Sequence, residues 1–247
     1  MKSLFRIFHL VAVIFLLVTA NGVADSQVRL VAVTESGREV VIHESTGEIK
    51  KLIISLKGFM LPPTDLVVDI EGIEDLTSLR DIRFDTTPQF ADYDFLVESA
   101  NLEIILISSS YVSNLQFLKS MKKLKAFMVE LSGLWFAFGQ NASPHTIDLQ
   151  SNNDLEYFGL MYCGLESFPI FTNIPESLQY IDLTGNEFSI TLADTEKLEV
   201  LTSVEKVFVW GAEIDPSLLL SFPNLTTDQS DGIVPEYWKS EKGPADD

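Results

Sequence analysis

Cysteine is almost missing from the chain: Cys163 stands alone. A lone thiol excludes any disulfide within the molecule. Histidine is scarce too, with His9, His43 and His145 the whole supply. No two of them sit at ligand spacing, and neither Cys-x-x-Cys nor His-Glu-x-x-His occurs, which argues against a zinc site. Gly-x-Ser-x-Gly and a phosphate-cradling glycine loop are also missing. Acidic pairs such as Asp69-Ile-Glu71 and Asp92-Tyr-Asp94 lack the ordered spacing of a calcium loop and read as solvated surface. No cofactor is expected. No carboxylate pair is singled out for hydrolysis, so an enzyme with a dispersed site is the weakest of the readings.

Positive charge is in short supply. Lys and Arg number 17 against 36 Asp and Glu, for a net charge of −19. Nucleic acid is therefore excluded as an expected partner, because phosphate neutralisation needs cations. A bare anionic membrane surface is excluded on the same ground. The acidity favours solubility and a basic partner without identifying one.

Long apolar runs are confined to the N-terminus. Lys2 and Arg6 precede Ile7 to Ala20, a run interrupted only by His9 and Thr19. Val18-Thr-Ala20 and Gly22-Val-Ala24 offer small-residue cleavage signals. Residues 1–24 read as a secretory signal peptide, with an uncleaved anchor as the rival. No Cys follows at a lipid-attachment position, and no C-terminal apolar segment suggests an anchor there. Export to a cell surface, a periplasm or the medium is the expectation. Asn141-Ala-Ser143 and Asn224-Leu-Thr226 match the glycosylation triplet, a pattern common by chance.

What the chain does have is a repeat. Leu155-x-x-Phe158-x-Leu160-x-x-Cys163-x-Leu165 recurs as Leu178-x-x-Ile181-x-Leu183-x-x-Asn186-x-Phe188, 23 residues on. Its centre alternates apolar and polar, which makes a short strand with one buried face. Leu79-x-x-Ile82-x-Phe84, Leu102-x-x-Ile105-x-Ile107, Leu124-x-x-Phe127-x-Val129 and Val204-x-x-Val207-x-Val209 keep the same frame. The position eight residues after the leading one holds Thr87, Ser110, Ser132, Cys163, Asn186 and Ala212, all small. Between strands, Val112, Leu115, Leu118 and Met121 recur every third residue, a period suited to 3₁₀ turns.

This frame and spacing resemble the leucine-rich repeat family. The every-third-residue lead-in Ile70-Glu-Gly-Ile73-Glu-Asp-Leu76-Thr-Ser-Leu79 resembles that of exported bacterial proteins of the internalin type. The resemblance implies an α/β-type solenoid: a right-handed coil with a short-stranded parallel sheet on its concave face and an irregular or 3₁₀ convex side. It also implies that Asn186 bonds backbone groups of the neighbouring coil, with Thr87, Ser110, Ser132 and Cys163 as the rest of a structural ladder. One copy cannot bury its apolar face, whereas stacked copies share a core.

Three regions depart from the frame. Val28–Val33, Val40–Ile42 and Ile49–Leu56 read as three strands of a meander, so residues 25–60 are expected to form a β-rich N-terminal cap. The gap from Leu124 to Leu155 is too long for one coil and too short for two. There Ile147-Asp-Leu149-x-x-Asn152 suggests an extra, degenerate strand, with a looped-out insertion over 135–144 as the alternative. The solenoid is placed at 61–226. Residues 227–247 are expected to form a fraying acidic tail, with Tyr237-Trp238 able to dock.

Between the inward strand positions lie the side chains of the opposite face. That face should be polar if open to water. Instead it carries Ile104, Leu106, Met128, Tyr157, Met161, Tyr180, Phe208 and Trp210. Large apolar patches mark contact sites, and Tyr, Trp and Met are favoured at interfaces. The chain is therefore expected to be an exported, non-enzymatic protein that holds a protein or other macromolecular partner on this face. A self-associating surface or matrix component is the alternative.

Overall fold

The computed structural model describes residues 27–55, 65–85, 90, 92–108, 112, 114–130 and 146–228. The signal peptide, the Pro62-Pro63 connection, the 135–144 insertion, the Asn141 triplet, His9, His145 and the Tyr237-Trp238 dock lie outside them. So do Thr87, Ser110 and Ser132 of the ladder.

In chain order the strands are Gln27–Thr34 (β1), Glu39–Thr46 (β2), Lys51–Ser55 (β3), Val67–Glu71 (β4), Asp81–Asp85 (β5), Ile104–Ser108 (β6) and Ala126–Glu130 (β7). They continue as Thr146–Asp148 (β8), Tyr157–Met161 (β9), Ile170–Thr172 (β10), Tyr180–Asp182 (β11) and Ser189–Ile190 (β12). Lys206–Phe208 (β13), Glu213–Ile214 (β14) and Leu225–Thr226 (β15) complete the set. Eight of these form one sheet in the order β15-β13-β11-β9-β7-β6-β5-β3. Every pairing in it is parallel. Parallel neighbours need a crossover, and the segments between strands supply it.

The register aligns the repeat frame residue by residue. Phe127 pairs with Phe158, Phe158 with Ile181, Ile181 with Val207, and Val207 with Leu225. Parallel strands lie about 4.8 Å apart, so like positions touch. Phe127 and Phe158 rings meet at 5.4 Å, and Phe158 meets Phe171 edge-on at 5.7 Å. Burying each such side chain is worth about 1.5–3 kcal/mol. The far wall of the core is built by short 3₁₀ turns at Asp94–Glu98 and Gln116–Ser120. Val112, Leu118 and Met121 of the every-third-residue series are buried there, and Leu115 is half-buried.

Two sequence expectations need correction. The three-strand meander over 27–56 does not form. β3 instead opens the parallel sheet, pairing with β5, and β4 completes the antiparallel sheet β2-β1-β4. The reason is visible in Ile49-x-x-Leu52-x-Ile54, which already fits the repeat frame and buries Leu52 and Ile54. The β2-β1-β4 sheet gives Leu30, Ala32, Val67 and Ile70 to the same core. The extra strand over Ile147 exists as β8, but it is no member of the main sheet. It pairs with β10 in a separate two-stranded sheet, while β7 pairs directly with β9. Ile147 and Leu149 are buried, and across the long gap β7 and β9 are direct neighbours in the main sheet.

Asn186 joins two coils. Its amide nitrogen donates to the carbonyls of Leu160 and Leu183, both at 2.7 Å. Its oxygen accepts from the backbone N–H of Cys163 at 2.9 Å and of Leu165 at 3.1 Å. All four partners are backbone groups in a buried turn that has no ladder partner for them. Cys163 holds the equivalent position one coil earlier. Its Sγ lies 3.6 Å from the Val129 carbonyl and 3.4 Å from that of Met161, a weaker version of the same link. Burial pushes its thiol far above the usual range, and the Glu130 carboxylate adds to the rise.

Replacing Asn186 with Leu strands these four buried groups and should lower stability by about 3–5 kcal/mol in urea titration. Cys163→Ser should cost less than about 1.5 kcal/mol, since volume and position are kept. Cys163 should also resist a thiol reagent in the folded protein at pH 8 and react only at the rate of unfolding. Prompt labelling of the native state would contradict the sealed position described above.

Candidate partner-binding face

Side chains that alternate with the buried rows form the outer face of the eight-stranded sheet. Register sorts them into three rows. The first runs Lys51, Asp81, Ile104, Ala126, Tyr157, Tyr180 and Lys206. The second runs Ile53, Arg83, Leu106, Met128, Gly159, Asp182, Phe208 and Thr226. Ser55, Asp85, Ser108, Glu130 and Met161 make the third. It continues through Thr184 and Trp210, because Tyr162 N–H donates to the Thr184 carbonyl and Gly185 N–H to that of Trp210.

The N-terminal end is ionic. Arg83 grips Asp81 with two hydrogen bonds of 3.0 and 2.9 Å, and Lys51 approaches the same carboxylate at 3.8 Å. At the lower rim, Arg80 lies 3.7 Å and Lys125 2.7 Å from Glu103. Beyond this block the face turns apolar. Ile104, Leu106, Met128, Met161 and Tyr180 are half-buried, and Trp210 is 38% exposed. The first five stand on four adjacent strands and Trp210 follows two residues after the next, β13, as the alternation of the repeat demands.

Tyr157 and Phe208, expected to be open, are buried at 2% and 3% exposure. Gly159 explains Tyr157. A Cβ there would meet Tyr157 Cε1 at 3.0 Å and Met128 Cγ at 3.2 Å, so the missing side chain leaves the hollow that the ring fills. The Tyr157 hydroxyl donates to Asp182 Oδ2 at 3.1 Å, with Met128 and Met161 Sδ at 3.8 and 4.0 Å. Asp182 Oδ1 accepts the Thr184 N–H at 2.9 Å. Tyr157 is thus a brace between two coils as much as a surface. Tyr180 behaves differently: its hydroxyl donates to Glu205 at 3.2 Å, and burial together with that carboxylate holds the phenol above its usual range.

Two residues were missed in the sequence. Ile53, at 59% exposure, extends the second row to the first strand of the sheet. Tyr162 is the other. It stands seven residues after Leu155, the place held by Gly185 and Gly211 in the next two coils. All three have left-handed backbones, with φ of 51°, 76° and 96°. Glycine adopts that region freely, whereas a residue with a Cβ pays about 1–2 kcal/mol. The Tyr162 ring crosses Gly185, where an added Cβ would collide with it, and meets the Trp210 ring edge-on at 6.5 Å. The signal was available: an aromatic residue at a position that is glycine in the next two coils.

Among the described residues no group of three His, Cys, Asp or Glu side chains is arranged to hold a metal. No helix among them is long and apolar enough to cross a membrane. Asn224 of the second glycosylation triplet donates its amide to the carbonyls of Leu201 at 2.9 Å and Val204 at 3.2 Å. Its nitrogen is thereby committed to the coil junction.

No family model and no curated protein matches the chain. Among solved structures it is similar to an internalin from Listeria monocytogenes strain 4b F2365, at 13% identity and a TM-score of 0.37. The match covers 65% of this chain and 57% of that one, so the chain spans little more than half the length of the internalin. The leucine-rich-repeat-like fold stands on the strand register and the buried rows.

Proposed function

We propose that the chain is an exported leucine-rich repeat solenoid whose task is to hold a protein partner on the outer face of its sheet, without catalysing a reaction. The observation that carries this reading is the continuous apolar strip of Ile104, Leu106, Met128 and Met161, continued by Tyr180 and Trp210. A sheet face bathed in water has no reason to present these types on adjacent strands. Three or four such side chains, each worth about 1.5–3 kcal/mol on full burial, suffice to anchor a partner. Export rests on the basic, then apolar N-terminus. The lone thiol is sealed inside, which argues against a cysteine nucleophile.

The test uses the full-length chain as bait against extracellular proteins of its source, with Leu106→Ala and Trp210→Ala beside the wild type. Both variants should lose the proteins that the wild type retains, while their unfolding free energies stay within about 1 kcal/mol of it. Phe208→Ala and Tyr157→Ala should instead lose about 3–5 kcal/mol of stability, because both rings are buried. Light scattering that finds a stable homo-oligomer with this face covered would overturn the reading in favour of self-association.

A further inference from the structure

The third row of the outer face has a composition of its own. Glu130 on β7 and Met161 on β9 are followed by Thr184 and Trp210, which lie two residues beyond β11 and β13. At its far end Tyr162 leans over Gly185 against Trp210, so two aromatic rings from different coils form one ledge. Tyr162 reaches this place only through a backbone conformation that its neighbours' glycines adopt without strain. Packing alone does not require it: glycine there would relieve the strain and keep the turn.

The charges at this end of the sheet are one-sided. Lys51 and Arg83 belong to the ionic block around Asp81, far from the ledge along the strand order. On the outer-face positions of β9, β11 and β13 the only cation among the described residues is Lys206, against Asp182 there and Glu130 and Glu205 beside them. The chain as a whole carries −19. A partner that meets aromatic faces and carboxylates together is one that brings cations, and guanidinium groups stack on Trp and Tyr best.

Resting on the binding reading above, we infer that this row receives an extended, arginine-containing segment of the partner protein, running across the strands. One guanidinium stacks on the Trp210–Tyr162 ledge and a second pairs with Glu130. Three strand spacings of about 4.8 Å separate Glu130 from Trp210, about 14 Å in all. An extended chain covers that distance in about four residues. The geometry therefore selects arginines four apart, with small or apolar residues between them above Met161 and Thr184.

The experiment is a fluorescence-anisotropy titration of the full-length chain with three labelled peptides of equal length. One carries two Arg four residues apart in a Ser/Ala background, one carries the same two Arg adjacent, and one replaces both by Glu. The spaced peptide should bind most tightly, more weakly as salt rises, and the Glu peptide not at all. Trp210→Ala and Tyr162→Gly should each weaken the spaced peptide at least about fivefold. Glu130→Gln should weaken it about threefold, and Glu196→Gln, an exposed acid on the helix Thr195–Glu199, should change nothing. Tyr162→Gly should unfold no lower than the wild type, which separates loss of binding from loss of fold. Equal affinity for spaced and adjacent arginines, or binding indifferent to Tyr162 and Trp210, would overturn the inference as mere charge attraction. If the peptides fail while Leu106→Ala still releases the proteins captured by the wild type, this inference falls and the binding reading stands. If the wild type captures nothing that Leu106→Ala releases, the binding reading is what fails.

Discussion

Everything in the molecule depends on parallel strands stacking in register, so that Phe158, Ile181 and Val207 lie side by side. A single coil has one strand and one return, and neither can hide its apolar side alone. Only a neighbour with the same phase can. The side-chain period of two makes this all-or-none: a slip of one residue would turn each buried row outward. Asn186 reinforces the phase, because its amide reaches carbonyls of both coils and N–H groups of the earlier one only when the two turns are level.

The outer face inherits its order from the same stacking. Residues far apart in the chain, such as Met128, Tyr157 and Asp182, come together because they hold fixed places in successive coils. The face is graded as a result. Its first strands carry ion pairs around Asp81, its middle carries aliphatic and thioether groups, and its end carries rings. The Arg83–Asp81 pair is largely shielded from water, so the ionic end is held by a two-bond grip rather than by loose surface charges.

How much of this was legible in the sequence follows from which interactions are local. The six frames from Leu79 to Val209 named their strands correctly, because alternation is written into adjacent residues. β3 was misplaced because Ile49, Leu52 and Ile54 lie 30 residues ahead of the equivalent Leu79 set, outside the regular spacing. Alternation alone says that a strand has a buried face and says nothing about its partner. The same blindness put β8 in the wrong sheet, since its mate β10 lies in the following return. Tyr157 looked exposed because its place on the strand is outward; the hollow that hides it is made by Gly159, two residues on. The glycine was visible, but its meaning is three-dimensional. Tyr162 differs from Gly185 and Gly211 at the same place in the next two coils, and was overlooked because the frame was followed at its apolar anchors and its small eighth position but not at the seventh.

The small β8–β10 sheet has a consequence for how such a chain can change. Its two strands pair with each other outside the main sheet, while β7 and β9 remain direct neighbours within it. Length is thus free to vary on one side and forbidden on the other. A lineage of such chains could lengthen or shorten its rear segments without disturbing recognition. Inside a strand even a single inserted codon would exchange interior for exterior along its whole length.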